Sequence, residues 1–180
     1  HPYFVGFGMA GDEGHLSFVD FKPVFDHVAE SGYPCTVHAG EHYSAATVLE
    51  AIDTLPVTRI GHGVRLVEDT NAVETVSKSN IVLEICPSSN IALGLYPDHK
   101  SHPFMKLYEA GCKVTLNSDD PPYFDTSIGH EYANASTEFG LSTTQLLNVT
   151  RTALDVAFID KKLRAKLHAR IDAWETKQLS

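Results

Sequence analysis

The chain has 180 residues, 43% of them hydrophobic and 21% charged, with a formal net charge of -9, the composition of an ordinary globular protein that can bury one core. The acidic balance excludes a general nucleic-acid binder, which needs a basic stripe to neutralise phosphates, but leaves room for a free base or nucleoside as ligand. No apolar run approaches the roughly 18 residues of a membrane helix and no signal peptide opens the chain, so no membrane partner and a cytoplasmic location are expected.

Five strand candidates follow in order: Tyr3 to Phe7, Cys35 to His38, Thr58 to Gly61, Ile81 to Ile85 and Lys113 to Asn117. Helical patterns separate them. Ser44 is expected to cap a helix through Leu55, Asp69 one through Ser77, and Ser101 one with Pro103 in its first turn and Gly111 just past its end. Strands alternating with helices predict βαβ units, a parallel sheet and an α/β fold over a single domain, residues 1–180. After the fifth strand the pattern is helical throughout: Gly140 ends one helix, Ser142 and Gln145 form a capping box for the next, and Leu163, Leu167, Ile171 and Trp174 stripe the last. Cys35, Cys86 and Cys112 are odd in number and far apart, which reads as buried free thiols rather than a disulfide framework or a zinc ribbon.

Three of the strand candidates end in polar motifs, and polar chemistry at the C-terminal ends of successive strands is where a parallel α/β barrel keeps its active site. His38 and Glu41 stand three apart in His38-Ala39-Gly40-Glu41, so an imidazole can bind a metal while a carboxyl group reaches over the same pocket; zinc suits such donors. The alternative is a core histidine beside a carboxylate at a helix start. His62 lies between two glycines, which let the backbone bend closely around a ligand or simply make a tight turn. Asp119 and Asp120 in Asn117-Ser118-Asp119-Asp120-Pro121 repel each other unless a cation or donor holds them; the plainer reading is a helix cap before Pro121.

Gly6-Phe7-Gly8-Met9-Ala10-Gly11 matches the dinucleotide fingerprint letter for letter. That motif should open a helix with phosphate at its N-terminus, yet Asp12 and Glu13 would stand where the phosphate lies, so dinucleotide binding is not expected.

Ala10-Gly11-Asp12-Glu13, His38-Ala39-Gly40-Glu41, Arg59-Ile60-Gly61-His62-Gly63 and Asn117-Ser118-Asp119-Asp120-Pro121 occur in the order and approximate spacing of the adenosine deaminase family of zinc hydrolases. The chain resembles that family across nearly its whole length. The resemblance implies a (β/α)8 barrel of which this chain looks like the C-terminal part, strands four to eight plus the closing helices, with the N-terminal half of the barrel as a missing partner. It also implies zinc ligands at His38 and Asp119, protonation of the purine ring nitrogen N1 by Glu41, and a His62 that orients the water at the zinc and helps to deprotonate it. Asp120 would bond the purine N7, and the backbone N–H of Gly11 its N3. The chain departs from the family in having no His-x-His pair, which supplies two further zinc ligands from the family's first strand, and in having Gly8 where members often have Asp.

The resemblance implies zinc-dependent hydrolytic deamination of adenosine to inosine and ammonia. Asp119-Asp120-Pro121-Pro122-Tyr123-Phe124 looks like the adenine deaminase branch, which keeps adenine or another aminopurine as an alternative substrate. A non-catalytic purine-binding remnant that has lost its metal is the alternative of another class. The His-x-Glu and Pro-Cys-x-x-Cys pattern of cytidine-type deaminases is absent.

Overall fold

In a computed structural model, which describes residues 3–15 and 17–179, five parallel strands lie in the sheet in the order in which they occur in the chain. They are β1 (Phe7–Met9), β2 (Cys35–Ala39), β3 (Val57–His62), β4 (Val82–Ile85) and β5 (Lys113–Leu116). Between them run α1 (Phe18–Glu30), α2 (Ala45–Thr54), α3 (Thr70–Ser77), α4 (Pro87–Ala92) and α5 (Phe104–Glu109), and after them α6 (Pro121–Phe124), α7 (Ile128–Thr137), α8 (Thr143–Val156) and α9 (Lys161–Leu179). A strand order that advances one neighbour at a time is that of a (β/α)8 barrel, of which this is a part.

Alternate side chains divide the two faces of the sheet. On β2, Cys35, Val37 and Ala39 are buried while Thr36 and His38 are half-buried. The buried set joins Phe25, Val48, Ile60, Leu83, Ile85 and Leu107 in one core. The other face is polar: register places His38, Gly61, Glu84 and Thr115 in one rung across β2 to β5. Thr36 Oγ1 donates to Glu84 Oε2 at 2.7 Å, and the Arg59 guanidinium pairs with Glu84 Oε1 at 3.3 Å and lies 3.6 Å over the Phe158 ring.

Asp69 caps α3 by accepting from the N–H groups of Asn71 and Ala72, and Ser142 and Gln145 form the expected capping box. Gly111 and Gly140 take positive φ of 85° and 72° beyond their helices. The three cysteines are buried and free. No dinucleotide turn forms: helix α1 starts at Phe18, well past Gly11.

Three expectations need correction. The first strand covers Phe7–Met9 rather than starting at Tyr3, because β2 begins at Cys35 and its register partner is Phe7, so earlier residues have no strand opposite them. Ser101 does not cap α5: Asp98 accepts from its N–H and hydroxyl, and Pro103 disfavours helical backbone at the residue before it, so the helix starts at Phe104. Ser44 stands at the N-cap of α2 but makes no side-chain capping bond. Among the described residues no helix is long and apolar enough to cross a membrane.

Candidate active site

The C-terminal ends of β2, β3, β4 and β5 bring His38, Glu41, His62, Cys86 and Asp119 together. Gly40 makes this possible on β2: its φ is 67°, and a Cβ there would fall 2.3 Å from Val48 Cγ2, so the chain turns sharply and carries Glu41 back over the strand end. Glu13 braces that turn, its carboxylate accepting from the N–H of Gly40 at 3.0 Å and of Glu41 at 2.7 Å. On β3, His62 itself has a φ of 64°, and Gly63 follows at 67°. Pairing nevertheless continues, with Gly63 N–H donating to Ala39 O and Arg65 N–H to Gly40 O. Gly61 leaves room for the His38 ring, whose Cδ2 would lie 2.4 Å from a Cβ at that position.

His62 is the hub. Its Nε2 lies 3.5 Å from Glu41 Oε2 and 3.8 Å from Asp119 Oδ2, and its ring meets that of His38 edge-on at 4.6 Å. Asp119 has a φ of 53° and accepts from the Ser89 hydroxyl at 2.7 Å. Asn90 Nδ2 lies 3.3 Å from both Glu41 Oε1 and His62 Nδ1, and Asn90 Oδ1 lies 3.2 Å from His102 Nε2. A cleft of about 430 Å³ opens here, lined by His38, Gly61, His62, Glu84, Cys86, Asn117, Ser118, Asp119 and Ile128.

Burial sets the electrostatics. Glu41 is 6% exposed; that burial, reinforced by the charges of Asp119 and Glu13 and opposed by the Asn90 hydrogen bond, pushes its carboxyl group up to about 7. His62 is pushed down to about 4 by burial and then by His38, against the pull of Asp119. Near neutral pH the site therefore pairs a carboxyl group able to give or take a proton with an uncharged imidazole. The Cys86 thiol is held far above its ordinary range by burial and by surrounding carboxylates.

Two sets of donors, His38 with Glu41 and His62, and His62 with Cys86 and Asp119, each bring ligand atoms within 4.8 Å of one another. Imidazole nitrogen and carboxylate oxygen at that spacing fit a zinc ion in chemistry. The structure thus gathers four of the predicted site residues, His38, Glu41, His62 and Asp119. Gly11 sits apart, beside His38 in a small hollow with Asp12 and Glu13. Asp120 is exposed at the N-cap of α6 and does not line the cleft.

Sequence reasoning missed Ser89, Asn90 and His102 and gave Glu13 no role of its own. Ser89 and Asn90 had a signal: Cys86-Pro87-Ser88-Ser89-Asn90 is polar chemistry directly after β4, the same pattern that marked the other strand ends. His102 had none, since a loop and the start of α5 bring it in from outside the strand ends.

A family model described as adenosine deaminase matches residues 3–174. An adenine deaminase of Chelativorans sp. (strain BNC1) is 49% identical over 173 residues, covering 95% of this chain and 53% of the relative. Among solved structures, adenine deaminase from Arthrobacter aurescens superposes with a TM-score of 0.90 at 28% identity, covering 96% of this chain and 53% of that one. An amidohydrolase from Burkholderia ambifaria with bound Zn gives 0.84 at 25% identity, covering 96% and 48%. The chain spans about half the length of the curated relatives it matches.

Proposed function

Because the chain belongs to the adenosine deaminase family, we propose that the complete protein removes the exocyclic amine of a 6-aminopurine by hydrolysis. Adenine and water would give hypoxanthine and ammonia; adenosine and water would give inosine and ammonia. Adenine is the favoured substrate, on the name carried by the 49% identical relative and on the run Asp119 to Phe124, which resembles the adenine branch.

One observation carries the reading: Glu41, with its pKa pushed up to about 7, stands 3.5 Å from buried His62, which lines the cleft with Asp119. A carboxylic acid that is still protonated near pH 7 can give its proton to the ring nitrogen N1, which makes the neighbouring carbon more electrophilic. His38 and Asp119 are the residues that would hold zinc, with Ser89 fixing the Asp119 carboxylate through its hydroxyl. Zinc bound there supplies Lewis acidity and water of near-neutral pKa. His62, whose Nε2 is turned toward Glu41 and Asp119, would orient that water. Gly11, through its N–H, and Asp120 are proposed to meet the purine at N3 and N7.

The test is ammonia release from adenine and from adenosine by the full-length protein, with metal content measured on the same sample. The reading expects adenine to be favoured by about tenfold or more in kcat/KM. Glu41→Gln should keep its metal and lose about 10² to 10⁴-fold in rate, the usual weight of a general acid. A metal-free protein that binds adenine and releases no ammonia would mark a purine-binding remnant instead.

A further inference from the structure

The buried polar chain behind the cleft determines which nitrogen of His62 carries its proton. Phe104 N–H lies 3.2 Å from His102 Nδ1. A backbone N–H can only donate, so His102 Nδ1 must offer a lone pair and its proton must sit on Nε2. His102 is 4% exposed and neutral, its pKa pushed down to about 3 by burial and then by His99. Its Nε2–H therefore donates to the Asn90 atom 3.2 Å away, which must be the carbonyl oxygen. The reversed amide would set two donors against each other.

That settles the other end of Asn90, a side chain with 0% exposure. Its two amide hydrogens point at Glu41 Oε1 and His62 Nδ1, each 3.3 Å from the nitrogen. Every polar atom of the amide is thereby satisfied, as a fully buried group requires. Glu41 Oε1 accepts, so a proton on Glu41 belongs on Oε2, the oxygen turned toward His62 Nε2. His62 Nδ1 also accepts, so its own proton belongs on Nε2, the nitrogen facing Glu41 and Asp119.

We propose that Asn90 and His102 are positioning residues that lock His62 as the Nε2–H tautomer, so that His62 donates a hydrogen bond into the cleft and neither ligates a metal nor accepts a proton there. A nitrogen that already bears hydrogen has no lone pair for either task. His62 thus belongs to the orienting groups, and the two donor sets that count it, one with His38 and Glu41 and one with Cys86 and Asp119, are close in distance but wrong in protonation at His62. The inference deepens the deaminase reading and rests on it for the place of the water.

The test reads the tautomer directly. In the metal-loaded full-length protein with isotopically labelled histidine rings, the His62 signals, assigned by their loss in His62→Gln, should show a bare Nδ1 and a protonated Nε2. Asn90→Asp keeps the acceptor for His102 but sets a carboxylate oxygen against His62 Nδ1, and should move the proton to that nitrogen. With it kcat should fall about 10²-fold or more while KM changes about threefold or less. His102→Gln, which can still donate to Asn90, should recover about tenfold of the rate that His102→Leu loses. A wild-type His62 with a bare or metal-bound Nε2 overturns the proposal, and so does an unchanged kcat in Asn90→Asp. The spectrum is read whether or not a purine is turned over, so failure of the tautomer and failure of the deaminase reading are separate results.

Discussion

Glu13 holds Glu41 by its backbone: one Glu13 oxygen accepts the Glu41 N–H at 2.7 Å and the other accepts the Gly40 N–H at 3.0 Å. One acid thus fixes the loop that carries another, and its charge also helps to raise the Glu41 pKa. Glu13→Gln keeps a single acceptor and turns an amide toward the second N–H. On the proposed role of Glu41 as general acid its acid form is the active one, so activity should decline as pH rises through about 7. In Glu13→Gln that decline should move to lower pH, with kcat at neutral pH down by about tenfold. A pH–rate profile superposable on the wild type would remove Glu13 from the site.

Asp119 and Asp120 are neighbours with different surroundings. Asp119 lies in the cleft with Ser89 on its carboxylate, whereas Asp120 is exposed at the start of α6. Asp119→Ala should strip most of the bound metal, and Asp120→Ala should keep the metal and raise KM by about tenfold, the cost of one good hydrogen bond to a ligand. Elemental analysis of both variants beside steady-state kinetics separates them; equal metal loss would contradict the division.

Gly61→Ala probes the wall under His38. The new Cβ would lie 2.4 Å from His38 Cδ2 and 3.0 Å from its Nε2, so the ring must swing away while the strand stays paired. Metal affinity should fall about 10 to 100-fold, as when the support of a ligand is lost, with the circular dichroism of the wild type retained. Undiminished metal content would show that His38 is not a ligand.

Acid should destabilise the fold through His102. Its folded pKa, pushed down to about 3 from an ordinary 6.5, means that the unfolded chain binds a proton over that interval and the folded chain does not. The stability this histidine contributes is present above about pH 6.5 and is lost as pH falls toward 3, by up to about 1.4 kcal/mol per pH unit. Urea midpoints at pH 7 and pH 5 should therefore differ less in His102→Gln than in the wild type. An equal difference in both would show that the acid sensitivity arises elsewhere.

Strand ends made the site legible. His38, Glu41, His62 and Asp119 each stand at a strand end or within three residues of it, so their convergence needs only the rule that parallel strands present their C-terminal ends on one side. Asn90 reaches the same place through the turn of α4, and His102 through a contact with Asn90 that spans 12 residues, a distance that no local pattern encodes. Strand β1 starts later than its sequence suggests for a related reason: the apolar run from Tyr3 to Phe7 has β propensity, but pairing starts where Cys35 provides a partner. The Ser142–Gln145 capping box and the stops at Gly111 and Gly140 are legible because their bonds close within a few residues.

His62 and Asp119 hold left-handed backbone, at φ 64° and 53°, although neither is glycine. Such a conformation costs on the order of 1 to 3 kcal/mol at each position, and glycine would take it without penalty. Asp125, just past α6, is the third such residue among those described, with a φ of 46°, so two of the three strained positions stand in the candidate site. Selection for thermal endurance alone would favour glycine at both and would silence the cleft in doing so. Heat-resistant variants of this scaffold should accordingly be sought around α8 and α9, away from the rim where ease of folding and reactivity pull in opposite directions.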